Sequence, residues 1–254
     1  MYKKNGIIKI ILILVLILLM GIIDVWCEPL PIPKIGLDIE TAENPQDVAL
    51  SMQILFILTI ISLAPSILIM LTSFTRIIIV LSFTRNALGT QQMPPNQVLI
   101  GLALFLTFFI MSPVITEINE NAFTPFTNGE ITQEAAIEKA VEPVRDFMFK
   151  YTREKDLALF LNLSQVKQPL AKIDIPTSAL IPAFIISELK TAFEIGFFLY
   201  IPFLMIDMIV SSTLMSMGMM MLPPIMISMP FKILLFVLVD GWNLIVRSLI
   251  MGFN

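Results

Sequence analysis

The sequence predicts an all-α membrane protein of about four long hydrophobic helices, arranged as kinked hairpins, with a small helical domain on the exported face. Three observations predict it. Of 254 residues, 57% are apolar and only 14% charged, against about 45–50% and about 25% in soluble domains. Mean hydropathy is +0.88. Several apolar runs approach the ~20 residues that cross ~30 Å of hydrocarbon as helix. Composition also excludes chemistry. With no histidine and one cysteine, the chain has no His-based triad, no His metal ligand and no internal disulfide. No cofactor and no enzymatic activity are expected. Net charge is −4 and no Lys/Arg run is long enough to follow a phosphate backbone, which argues against nucleic acid as a partner.

Lys3, Lys4 and Lys9 precede an unbroken apolar run, Ile10 to Ile23, followed by Asp24 and the Pro-rich "EPLPIPKIG". This is the charge and length pattern of a signal peptide over residues 1–27, with cleavage before Glu28 favoured over an uncleaved anchor helix. Residues 28–47 read as an acidic, Pro-containing exported arm.

Residues 48–116 predict a first hydrophobic hairpin. Its first arm, about Val48 to Leu71, contains Pro65, and its second, Val98 to about Thr116, contains Pro113. The connection, residues 72–97, has only Arg76 and Arg85 as charges, which places it on the cytoplasmic side by the positive-inside rule. Its apolar "IIIVLSF" is too short to span; it continues the helix or packs against another subunit.

Residues 117–178 hold the only conventionally polar stretch, with alternating charges at helical spacing. Two amphipathic helices are expected, near Ala135 to Tyr151 and Glu154 to Leu163, with Thr132 and Glu134 suited to a helix start. Nothing in this exported domain resembles a catalytic constellation.

The second hairpin, residues 179–254, has arms near Leu180 to Val210 and Ile225 to Ile250. They carry Glu188, Lys190, Glu194, Asp207, Lys232, Asp240 and Arg247. Each charge costs ~2.5–3.5 kcal/mol at a lipid-embedded helix centre, so these face protein or water. Lys190 and Glu194 are four apart and can pair along one face. At ~100° per residue Asp240 and Arg247 fall within ~80° of Lys232, so these three charges make one stripe. A conducting path or proton relay is one reading. Intersubunit ion pairing is favoured, because both signs are present and nearly balanced.

Nine of the 17 methionines lie between Met205 and Met229, with "MSMGMMM" in the loop 215–224. Three readings stand: Cu(I) ligation by thioethers, core filling, and a deformable hydrophobic seal in a pore. The seal is favoured, since copper routes usually add His or Cys.

Three blocks carry a resemblance: "LTSFTRIIIVLSFTRNALGTQQMPPNQVLIGLALFLTFFIMSPV", "IPAFIISELKTAFEIGFFLYIPFLMIDMIVSSTLMSMGMMMLPP" and "MPFKILLFVLVDGWNLI". Together they resemble the FliP family of flagellar type III export-gate proteins, over about Val48 to Ile250. The resemblance implies a pentamer joined by FliQ and FliR in a helical oligomer, largely above the membrane plane. FlhB and FlhA are further implied partners, with FliO an assembly factor in some lineages. The implied place is the flagellar basal body in the bacterial inner membrane, and the implied cargo is unfolded flagellar substrates. It also implies that Met217, Met219, Met220 and Met221 form a methionine gasket, and that Glu188, Lys190, Lys232 and Asp240 are intersubunit or gating contacts. A Met-rich copper transporter and a purely structural nucleus for basal-body assembly are the alternatives.

Overall fold

A computed structural model describes residues 45–90, 92–164, 172–219 and 221–253. The expected signal peptide and most of the exported arm lie outside these residues, as does Met220. The chain divides into two units, Met1–Gln53 and Ile54–Asn254. The first contributes only the opening turns of α1, and the second holds every other element. The described residues are helical, with no strand among them.

Helix α1, Pro45–Met70, has Pro65 inside it. Leu55, Phe56, Leu58 and Ile61 are all at least 60% exposed, so its apolar side chains project outward on successive turns. Helix α2, Phe74–Leu88, follows. Its buried residues Phe74, Ile77, Val80, Leu81, Thr84, Ala87 and Leu88 recur at the three- and four-residue spacing of one helix face. Gly89 ends it in the left-handed region, φ 74°, donating its N–H to Asn86, a stop that other residues make only with strain. The segment expected as a basic connection is therefore mostly a core helix. "IIIVLSF" does continue as helix, and it packs within its own chain, most extensively against α7.

Helix α3, Asn96–Ile118, buries Leu99, Ala103, Leu106, Thr107, Ile110 and Met111. Phe105, Phe108 and Phe109 point away and are 64–77% exposed. A π-helical turn, Asn119–Phe123, and the short α4, Thr124–Thr127, lead into the polar region. There α5, Gln133–Tyr151, starts where Thr132 Oγ1 accepts the Ala135 N–H. It is followed by α6, Glu154–Leu163, with the bounds the charge pattern indicates.

Helix α7, Thr177–Ser216, has 40 residues, about 60 Å at 1.5 Å per residue. Its first half lies against α2, α5 and α6, and its second half pairs with α8, Pro224–Leu238. The second hairpin's return arm is broken. Helix α9, Gly241–Met251, departs from α8 by 63°. At the break Asp240 takes a left-handed conformation, φ 50°. Any side chain on Gly241 would meet the Phe236 ring at 2.3 Å.

The residues 96–127 and α7 are each long and apolar enough to cross a membrane, and α8 with α9 makes a third such stretch if the bent pair is one span. In α1 the apolar stretch Met52–Ile67 is shorter.

Gly196 sets the separation of α2 and α7. A Cβ there would lie 2.6 Å from Phe83 Cγ, near the root of a ring already held edge-on by Phe193 at 5.3 Å between centroids. Gly196→Val should therefore lower stability by ~1–3 kcal/mol through overpacking, measured as a fall in melting temperature of the detergent-solubilised protein.

Candidate functional site

Among the described residues, four of the second hairpin's seven charges, Glu188, Glu194, Asp207 and Lys232, enter three ion pairs, each made within the chain. Arg76, 5% exposed, meets Glu188, 0% exposed, across the α2–α7 seam. Its Nε donates to Glu188 Oε2 at 2.9 Å while Nη2 donates to Oε1, the bidentate geometry that suits a planar guanidinium. Arg76 Nη1 donates to the Gly252 carbonyl at 3.2 Å. The guanidinium also lies 3.9 Å from the Phe253 ring centroid and 5.5 Å from that of Tyr151, whose hydroxyl donates to the Phe253 carbonyl. One cation thus ties together α2, α7, the polar region and the chain's C-terminal turn.

A second pair joins the polar region to α7. Arg153, at the start of α6, donates to Glu194 Oε2 at 2.7 Å and Oε1 at 3.2 Å, and to Thr191 Oγ1 at 3.3 Å. The Glu194 hydrogen bond holds the Arg153 pKa above its ordinary value, against the opposing effect of burial. Beside it Ser187 Oγ accepts the Arg153 N–H at 3.0 Å and donates to Asp156 Oδ2 at 2.7 Å. The third pair closes the second hairpin. Lys232 Nζ on α8 is 2.6 Å from Asp207 Oδ2 on α7, and Ser228 Oγ donates to Asp207 Oδ1 at 2.5 Å.

These contacts correct several sequence expectations. Arg76 is not a loop charge: it lies on α2, and Glu188 neutralises it in the core. Arg85 keeps a place at a turn, its Nη1 donating to the Pro94 carbonyl at 3.3 Å and to Asn96 Oδ1 at 2.5 Å. Glu194 pairs with Arg153 rather than Lys190, which is exposed. Lys232, Asp240 and Arg247 do not form one stripe, because the helix breaks at Asp240 and Lys232 turns to Asp207. Asp240 and Arg247 are exposed. Sequence reasoning missed Arg153, Tyr151, Ser187 and Ser228. The only available signal was that charges in apolar arms require partners; those partners stand 112, 41 and 25 positions away.

The methionine loop lies at the tip of the second hairpin. Gly218, φ 74°, reverses the chain after α7, with the Gly218 and Met219 N–H groups donating to Met215 and Leu214 carbonyls at 3.0 Å each. Pro223 and Pro224 then start α8. Met217, Met219 and Met221 are 60%, 43% and 99% exposed, so their thioethers do not fill this chain's own core.

The sequence pattern described as the FliP family matches residues 57–249, which include all three ion pairs and the methionine loop. The chain belongs to the FliP family. It is 60% identical over 217 residues to the flagellar biosynthetic protein FliP of Bacillus subtilis (strain 168), covering 85% of this chain and 98% of that protein. It is 56% identical over 208 residues to FliP of Pectobacterium carotovorum subsp. carotovorum, covering 82% and 81%. With FliP of Aquifex aeolicus (strain VF5) it shares 52% identity over 206 residues, covering 80% and 86%.

Within this FliP-family fold, removing one member of the Arg76–Glu188 pair leaves a buried charge without its counter-ion, which typically costs ~3–5 kcal/mol. Arg76→Leu alone should lower the detergent melting temperature strongly. Arg76→Leu with Glu188→Leu should lower it much less. Equal loss in the single and double variants would show that the pair is not coupled.

Proposed function

We propose that this protein is a core subunit of the flagellar type III protein export gate, in the bacterial inner membrane at the basal body. Copies of it, joined by FliQ and FliR, surround a path for unfolded flagellar substrates, and the methionine loop seals that path. FlhB and FlhA, and FliO in some lineages, are its further partners. The protein is a passive gate rather than an enzyme.

The observation that carries this reading is the hairpin tip. Three thioethers stand exposed at a turn between two apolar arms, while the arms below are clamped by Asp207 and Lys232. A seal needs that division: unbranched, polarizable side chains that re-pack around changing shapes, carried on a base that does not move. An apolar constriction of this kind stays closed by excluding water. Family membership and the names of its relatives support the flagellar assignment.

Replacing Met219, Met220 and Met221 by Ala should make the assembled gate leak small solutes or ions, read as dye or ion flux in cells or vesicles. A gate that stays tight after that change overturns the seal. Substrate crosslinking to a photoreactive group at position 219 separates a gate from a purely structural nucleus. Stoichiometric copper in the purified protein would instead favour the copper transporter.

A further inference from the structure

The two legs of the methionine loop are supported differently. The incoming leg is held by the Gly218 and Met219 N–H groups on carbonyls of the last turn of α7. Beside the outgoing leg lies an open cavity of about 200 Å3, lined by Ser211, Leu214 and Met215 of α7 together with Met219, Leu222 and Pro224. The Asp207–Lys232 clamp is further along, since Lys232 stands about two turns of helix beyond Ile225. The start of α8 meets the end of α2 instead. A Cβ on Gly89 would stand 3.8 Å from Ile225 Cγ2, ordinary van der Waals contact.

Gly89 opens the turn between α2 and α3, and that turn is braced in three ways. The Met93 N–H donates to the Thr90 carbonyl at 2.7 Å, and Thr90 Oγ1 donates back to the Met93 carbonyl. Pro94 and Pro95 fix two further φ angles. Arg85, in the last turn of α2, spans the whole turn: its Nη1 donates to the Pro94 carbonyl and to the side chain of Asn96, the first residue of α3. Among the described residues Arg85 enters no ion pair, and its Nε is buried with no hydrogen-bond partner. A buried N–H left unbonded costs free energy, so local stability alone does not account for an arginine here. We propose that the α2–α3 turn is the fixed abutment of the methionine seal and that Arg85 is the residue that positions it. This rests on the gate reading of the loop. Thioethers that re-pack around changing shapes return to one closed arrangement only if both legs of their loop start from set places on rigid elements. Helix α7 sets the incoming leg. Ile225 against Gly89 sets the outgoing one, and Arg85 sets Gly89 by tying the last turn of α2 to the first residue of α3.

Two readouts on the assembled gate test this: ion leak, and the spread of distances between nitroxides at positions 92 and 222. Cys27, the single cysteine, is replaced by Ser so that the labels are unique, and the labelled chain is diluted into unlabelled copies. The unaltered gate should be tight and give a narrow distribution. Arg85→Gln should broaden that distribution and raise the leak severalfold in the copies that assemble. Arg85→Lys, whose ammonium can also donate twice, should stay close to the unaltered protein. Lys139→Gln, which removes an exposed charge of the polar region, should alter neither readout. A role in folding alone would lower the melting temperature while the assembled copies stay tight, and that result overturns the proposal. So does an unchanged distance distribution in folded Arg85→Gln. If Arg85→Gln does not assemble, Ile225→Ala, which removes the surface facing Gly89 and leaves the turn intact, must leak; a tight gate there overturns the proposal as well. Leak on replacing Met219, Met220 and Met221 by Ala, with a tight Arg85→Gln gate, strikes the abutment alone, whereas a tight gate in both strikes the seal reading with it.

Discussion

A guanidinium held out of water between a carboxylate and an aromatic ring organises the middle of this protein. Desolvating Arg76 and Glu188 is expensive, and their attraction offsets that cost only where geometry is good and the remaining polar atoms are satisfied. Both conditions are met: two parallel hydrogen bonds to Glu188, a third to the Gly252 carbonyl, and the Phe253 ring against the flat of the guanidinium. The constraint reaches outward from there. Glu188 sets the register of α7 on α2, Gly196 lets those two helices close together, and the C-terminal turn is held where Tyr151 can bond it.

The second hairpin shows a graded distribution of order. Near the polar region, Arg153, Ser187, Thr191, Asp156 and Glu194 form a connected polar network. Midway, Asp207, Ser228 and Lys232 clamp α7 to α8. At the tip the described residues include a glycine turn and the exposed Met217, Met219 and Met221. Charge-assisted bonds have preferred directions and fix a geometry, whereas thioethers fill space without one. The same chain thus carries a rigid base and an adaptable end, the combination that the proposed gate requires. The break at Asp240 gives the return arm a different course from a straight span, since α9 leaves the line of α8 and presents its mixed face beside α3.

Much of the helix pattern was legible from residue order. Alternating charges located α5 and α6, Thr132 marked a start, and the paired prolines after the methionines marked the next. The identity of α2 was half legible: its apolar run was seen as helix, but its role as a core element was obscured by two arginines, one of which proved to be buried. The charges of the second hairpin were recognised as needing partners. Their pairing was not legible because Arg76 and Arg153 come from segments that only tertiary packing brings alongside α7, and because a helix break at Asp240 separates charges that a continuous 3.6-residue period would align.

Composition and periodicity by themselves determined that the chain is helical and apolar, that it lacks histidine-based chemistry, and that its charges and methionines concentrate in one hairpin. Those properties are local and follow from hydrophobic transfer and helix geometry. Tertiary structure decided which charge answers which, that Arg76 belongs to the core, that α9 turns aside, and that the thioethers at the tip stay outside the core. Each of these depends on how closely two helices approach and at what angle, and that distance is set by side chains far apart in sequence, such as Phe83 against Gly196.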